Sequence, residues 1–354
     1  MKSKRKSNFE LLRIISMFLI VVSHVTWEGN FSFSDKSRIF GNASIQSLWM
    51  FGQIGVISFT LISAYFLSKK KNINKKSILK ITNITWFWSW ITLVVFCLFF
   101  SKYVNLSSII KSIFPIFFGT YWYITAYLVL YIISPYLNIV IEKLEKREFQ
   151  FFLLIILVSL SVIPTISRVS ALNSPSNGAT IFSLIIVYFI GGYIRKYSDD
   201  FSLKNVKLYL WVLIFCIIAI FILQIGLNIA YKAGIFDITI RDKYGVFMRT
   251  NSPLEIGAGT ALFLIFKNIK LNYSKIINYV ANSMLSVYII HTNPLIMKII
   301  WGKIFEVRMF ENSAYIVLIE VLIAIIVFSM CVVIDITREN VMKILIQLKR
   351  SIIK

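Results

Sequence analysis

Apolar residues fall along this chain in ten long stretches, at roughly 9–27, 46–67, 82–100, 121–141, 149–167, 178–195, 207–231, 250–268, 278–300 and 313–335. Each is long enough to cross about 30 Å of hydrocarbon as a helix. The stretch 104–119 is shorter and broken by Pro115 and Gly119, so it reads as an interfacial or re-entrant piece. No soluble domain, tandem repeat or low-complexity linker interrupts the pattern. The prediction is an all-α polytopic transmembrane helix bundle of about ten spans, one domain over 1–340 with a basic cytoplasmic tail at 341–354. At the N-terminus, the basic MKSKRKS leads into an apolar run with no small-residue cleavage site. It predicts a retained first helix rather than a signal peptide.

Composition supports the membrane reading. The 354 residues are 58% hydrophobic and 15% charged, with a mean hydropathy of +0.76, which no soluble globule of this size shows. With the N-terminus inside, the inner segments hold 25 of the 38 Lys and Arg residues and the outer segments 12. Both termini are therefore expected in the cytoplasm of a multi-pass cell-membrane protein. The heaviest basic cluster, Lys69, Lys70, Lys71, Lys75, Lys76 and Lys80, falls in the first inner loop. The insertion rule and contact with anionic lipid account for the net charge of +22 without a nucleic acid partner. Aromatic runs such as Tyr121-Trp122-Tyr123 and Trp86-Phe87-Trp88 read as interfacial anchors. Cys97, Cys216 and Cys331 are scattered within apolar spans and read as packing residues. With two histidines and no Cys or His cluster, no protein-bound metal is expected. Gly191-Gly192 and Gly257-Ala258-Gly259 lie in apolar helices without nucleotide-binding context, where small residues let helices approach closely.

What remains is a sparse set of polar residues at membrane depth. Arg13 and His24 stand eleven residues apart in the first span. On a helix that separation turns about 1100°, within roughly 20° of whole turns, and rises about 16 Å. The two side chains therefore share one face. Glu10 lies three residues before Arg13 and Glu28 four after His24, which extends the stripe. An ionisable pair on one stripe of a spanning helix is a functional-site hypothesis by default. His291 in the ninth span sits at a depth similar to His24, Glu255 opens the eighth span, and Glu320 lies about two turns into the tenth. All four, His24 included, are candidates for one cavity. Each has a plainer reading beside it. Arg13 can snorkel to headgroups, the histidines can be interhelical contacts, and Glu255 and Glu320 can be hydrated near an interface. The plainer reading is the stronger for His291, which shares its face with no second charge.

The stretch NFELLRIISMFLIVVSHV (8–25) resembles the opening helix of the acyltransferase family 3 membrane proteins, with Arg13 and His24 at that family's Arg-to-His spacing. GQIGVISFTLISAYFLSKKK (52–71), WYITAYLVLYIISPYLN (122–138) and NSMLSVYIIHTNPLI (282–296) follow in the family's order. The resemblance runs from the N-terminus to about residue 335. It implies an enzyme that takes an acyl group, commonly acetyl, from cytoplasmic acyl-coenzyme A and places it on a sugar hydroxyl of a capsule, exopolysaccharide or other cell-envelope glycan. It further implies His24 as the catalytic histidine and Arg13 as its partner in the donor channel, with no tightly bound cofactor. Many relatives carry a further arginine motif near the third span. This chain has Lys75, Lys76, Lys80 and Asn83 there instead, which leaves those donor contacts unassigned.

The chemistry fits these roles. A neutral imidazole takes a proton from a hydroxyl as general base. Arg13, about 16 Å away, is too distant to stabilise an oxyanion beside His24, and a guanidinium suits donor phosphates. Glu28 is placed to fix the His24 tautomer or carry the proton outward. Asn251, Ser252, Gln53 and Tyr123 are open as oxyanion donors. Direct attack with His24 as base and a relay through an acylated His24 both remain open. A glycan or small-molecule transporter or flippase also lines a path with buried charge, but no inverted repeat supports it. A glycan polymerase ranks third because the outer loops are short. Glycan-assembly proteins are possible partners beside the bilayer itself.

Overall fold

The computed structural model describes residues 6–166, 179–235, 245 and 247–352, and those residues form helices and connecting loops with no strand. The basic residues before Lys6, the loop residues Arg168, Arg241 and Lys243, expected on the outer side, and the last two residues of the basic tail lie outside the described residues.

Helix α1 (Ser7–Glu28) is followed by α2 (Ile39–Ser47) and α3 (Trp49–Leu67), which continue each other as one 29-residue apolar element. Next come α4 (Lys75–Phe99), α5 (Leu106–Ile113), α6 (Trp122–Lys143), α7 (Lys146–Leu157) and α8 (Ile163–Ile166). The chain goes on through α9 (Ile181–Lys196), α10 (Val206–Lys232), α11 (Pro253–Asn268) and α12 (Lys275–Val280). It closes with α13 (Met284–His291), α14 (Pro294–Ile299) and α15 (Ile316–Ile352). Side chains start several of these helices. Asn74 caps α4 by accepting from the Lys76 N–H, and Asn105 and Ser108 close a capping box on α5, inside the predicted interfacial piece.

Seven of the described helices are long and apolar enough to cross a membrane, or eight if one bent pair is a single span. Helices lie at all ten predicted stretches, but α9 and α11 have 16 residues each, about 24 Å of rise. The bent pair is a departure from the continuous span predicted over 278–300. It breaks at Thr292-Asn293-Pro294 with a bend of 62°. Pro294 has no N–H to donate and its ring obstructs the preceding turn. The Asn293 side chain instead accepts from the Leu295 N–H to start α14, and its amide donates to the Tyr121 hydroxyl at 2.8 Å. The break leaves His291 as the last residue of α13.

Helix α3 is the hub, buried almost throughout and packed by α1, α9 and α11. Small residues make this possible, as the sequence predicts. A side chain on Gly191 would meet the Ala64 Cβ at 2.5 Å, and one on Gly259 would meet the Ile57 Cγ2 at 2.5 Å. The α1–α3 contact carries His24. There a Cβ on Gly55 would stand 2.5 Å from the Ser16 carbonyl oxygen and 2.9 Å from Ile20 Cγ1, while Gly52 packs directly on Ser23. A backbone carbonyl cannot rotate away. Gly55→Ala is therefore expected to push α1 off α3 at a cost of about 1–3 kcal/mol, read as a lower melting temperature of the detergent-solubilised protein together with reduced transfer. An unchanged melting temperature would show that α1 gives way freely. At the periphery, α10 exposes Leu208, Trp211, Phe215, Ile218 and Ile222, an apolar surface that belongs against lipid. Cys216 and Cys331 are buried packing residues, whereas Cys97 lies exposed on α4.

Candidate active site

A cavity of about 440 Å³ opens beside the C-terminal half of α1, whose wall is the stripe Met17, Ile20, His24 and Glu28 with Ser23 and Trp27 beside it. Residues of α3, α6 and α13 complete it, among them Gln53, Tyr123, Tyr288 and His291. The one-face reading of α1 thus describes a real cavity wall.

The two histidines meet at this wall. The Nδ1 of His24 lies 2.8 Å from the Nε2 of His291, and the Nδ1 of His291 lies 2.5 Å from the Val287 carbonyl oxygen. The order of donors follows from the last partner. A carbonyl only accepts, so His291 Nδ1 carries the hydrogen. In neutral His291 the Nε2 is then the lone-pair nitrogen, and His24 Nδ1–H donates to it. The chain of bonds leaves His24 with its own lone pair on Nε2, the nitrogen that no described residue occupies. His291, fully buried, is therefore more than an interhelical contact. It fixes the tautomer of His24 in the way that a second partner commonly orients an imidazole.

Arg13 sits one turn beyond Met17 on the same stripe, toward the N-terminal end of α1, and is not among the residues that line the 440 Å³ cavity. Its Nη1 donates to both carboxylate oxygens of Glu10 at 3.2 Å, so the predicted i,i+3 pair forms. Nη2 and Nε have no partner among the described residues. The Arg13 side chain is 29% exposed, so most of it is covered by the bundle.

The remaining predicted residues separate. Glu28 lines the cavity with His24. Glu320 is fully buried on α15 and accepts from the Thr26 hydroxyl at 2.5 Å. It grips α1 two residues past His24 but does not line the cavity, and neither does Glu255, buried on α11 with both carboxylate oxygens unbonded. The expectation of one shared cavity holds for the two histidines and fails for these two glutamates. Position along a helix says nothing about which way a residue points around it. Of the possible oxyanion donors, Gln53 and Tyr123 line the cavity, whereas Asn251 is turned to the Leu160 carbonyl and Ser252 is buried away from the cavity. The Gln53 Oε1 accepts from the Thr250 hydroxyl at 2.5 Å, which leaves the Nε2 N–H groups as donors.

Apart from Tyr123, sequence reading took the aromatic runs as interfacial anchors. Four of the eight tryptophans, Trp27, Trp49, Trp122 and Trp301, line this one cavity. Trp27 and Trp49 stack with ring centroids 4.2 Å apart. The available signal was Trp27 itself, three residues after His24 and so on its side of the helix.

A multi-pass helical membrane protein with a largely apolar, tryptophan-lined cavity around a tautomer-fixed histidine defines the class, and comparison with known families defines the member. The acyltransferase family 3 model, described as an acyltransferase domain, matches residues 6–338, and the chain belongs to that family. It is an acyltransferase that moves groups other than aminoacyl groups. No curated protein and no solved structure matches the chain.

Proposed function

We propose that this protein is an O-acyltransferase, most simply an O-acetyltransferase, that carries an acyl group from cytoplasmic acyl-coenzyme A to a hydroxyl of a cell-envelope glycan. The observation that carries the reading is the bonded series Val287, His291, His24, which leaves a lone pair on His24 Nε2 at the wall of a cavity. That nitrogen takes the proton of an acceptor hydroxyl as the oxygen attacks the thioester carbonyl. The imidazolium so formed keeps its Nδ1–H bond to His291 Nε2, and a charge-assisted hydrogen bond is stronger than a neutral one. The tetrahedral intermediate then collapses with cleavage of the C–S bond, and the coenzyme A thiolate leaves with the proton held by His24. The relay route starts from the same lone pair: His24 attacks the thioester and expels coenzyme A, and the acyl group on its Nε2 then passes to the acceptor hydroxyl, whose proton is released. Mass spectrometry after exposure to labelled acetyl-coenzyme A without acceptor separates the routes by label on His24.

The cavity suits a sugar. Tryptophan faces pack on the apolar side of a pyranose ring, while Gln53, Tyr123 and Thr292 supply groups for its hydroxyls and for the oxyanion. Arg13, offset from His24 by about 16 Å along α1, serves the phosphate end of the donor. The distribution of Lys and Arg supports both termini in the cytoplasm, and on that reading Arg13 lies toward the donor side and His24 toward the acceptor side. Proton NMR of envelope glycans from cells with and without the protein tests the reading. The expected result is an O-acetyl methyl signal that disappears with the protein while glycan amount and chain length stay unchanged. Loss of export or length with acetylation intact would overturn it.

A further inference from the structure

A second and larger cavity, of about 860 Å³, lies at the other end of the bundle, between the α3–α4 loop, α6 and α9. Its lining holds Lys69, Lys70, Lys71, Arg195 and Lys196 against one acid, Glu142. The insertion rule accounts for lysines after a span, but it does not account for a recess built around them.

The recess is built. Asn138 of α6, itself buried, donates to the carbonyls of Leu67 and Lys70 at 2.9 and 2.8 Å and accepts from the Tyr188 hydroxyl at 2.7 Å. The Asn74 N–H donates to the Tyr131 hydroxyl at 3.2 Å. The backbone of the lysine loop is thus pinned to α6 at both ends. Lys196 is spent on structure, since its Nζ donates to the carbonyls of Ile141, Glu142 and Leu144 at the end of α6. Arg195 is held by the Tyr65 hydroxyl at 2.9 Å with its guanidinium 4.6 Å from the ring centre, and its buried Nε–H has no partner. Lys69, Lys70 and Lys71 are exposed and form no ion pair among the described residues. Three unpaired ammonium groups on a pinned loop and an arginine with an unmet N–H call for an anion with several charged oxygens.

A row of aromatic rings runs between the two cavities. Tyr123, Tyr127 and Tyr131 stand one turn apart on α6, with successive ring centroids 6.0 and 6.3 Å apart. Tyr123 lines the histidine cavity and Tyr131 holds the lysine loop. From Gln53 to Leu67, α3 rises about 21 Å between the same two regions, so a ligand bound at both ends must be long and slender.

We propose that the recess of Lys69, Lys70, Lys71 and Arg195 is a binding site for the phosphate groups of a soluble nucleotide-type anion. On the acyl-coenzyme A reading above, on which this rests, it is where the donor's nucleotide end is held, while Arg13 meets the phosphate nearest the arm, which runs on toward His24. A lipid headgroup offers the same phosphate chemistry, and the test separates the two sources.

The experiment measures binding of radiolabelled coenzyme A, and separately of inorganic pyrophosphate, to the full chain in phosphatidylcholine nanodiscs. One variant carries Lys69→Gln, Lys70→Gln and Lys71→Gln. A control of equal charge change carries Lys204→Gln, Lys207→Gln and Lys275→Gln, exposed residues that do not line the recess. The first variant is expected to weaken coenzyme A binding about tenfold or more, with a flattened salt dependence, and the control to leave it unchanged. Pyrophosphate binding with the same lysine dependence, without coenzyme A binding, would support the site and sink the donor reading. Equal coenzyme A binding by all three proteins would overturn the site and leave the donor reading standing. The site as proposed also fails if neither anion binds and only phosphatidylglycerol raises the melting temperature through these lysines.

Discussion

His24→Ala is expected to lower acyl transfer by about 10²–10⁴-fold while the protein still folds and inserts. That is the range lost when a positioned general base is removed, about 3–5 kcal/mol of barrier. The fold should tolerate the change. His24 is only partly buried, its ring hydrogen-bonds His291 alone among the described residues, and removing it leaves the His291 Nε2 at a cavity with room for water to replace the lost partner. The α1–α3 contact that sets the position of this helix lies at Gly52 and Gly55, which the substitution does not touch. Transfer of label from acyl-coenzyme A to envelope glycan in isolated membranes reads the effect, with the amount of inserted protein as the control. Transfer within a few-fold of the parent protein at equal protein level would place the base elsewhere. If His24 acts as a nucleophile instead, the loss is the same but labelled protein disappears with it.

Half of the site was legible because of how spanning helices treat charge. Ionisable residues are costly at membrane depth and therefore few, so Arg13 and His24 stood out, and the helical period put them on one face. His291 was a candidate by its place in the ninth span, but nothing in the sequence marked its contact with His24. Its contact with His24 joins residues 267 positions apart, and it depends on the break at Pro294 that ends α13 at the level of the cavity. Asn293-Pro294 is a known kind of interruption and was the available clue, but an apolar run on both sides hid it within one apparent span. Lys69, Lys70 and Lys71 were hidden differently. A charge count explains every lysine that follows a span, so it cannot single out those which line a recess. The recess is made by α6 and α9, far away in sequence. The same limit applies to Glu255 and Glu320. The bundle itself was readable from hydropathy because lipid, unlike water, forces each long apolar stretch into a helix.

His291→Ala is expected to lower the transfer rate about 10²-fold, less than the loss of His24, with little change in apparent affinity for either substrate. His291 does not supply the reacting nitrogen. It determines which nitrogen of His24 carries hydrogen, through a bond that is itself fixed by the Val287 carbonyl. Without it His24 is free to place its hydrogen on Nε2, and the lone pair needed for catalysis is then on the wrong side of the ring. Spoiling the tautomer of a catalytic histidine costs up to about 10⁴-fold when the partner is a carboxylate, and a neutral partner sets a smaller loss. His291→Gln is the informative comparison. Its side-chain oxygen accepts from His24 Nδ1–H while its amide can donate to Val287, so it should recover a large part of the rate. A merely structural role predicts something else, a fall in folded protein and melting temperature shared by both variants, with the surviving protein turning over normally. Rate recovery by Gln but not by Ala, at matched amounts of folded protein and with an altered pH profile, would separate positioning from packing. Full activity in His291→Ala would mean that the tautomer of His24 is set by another group.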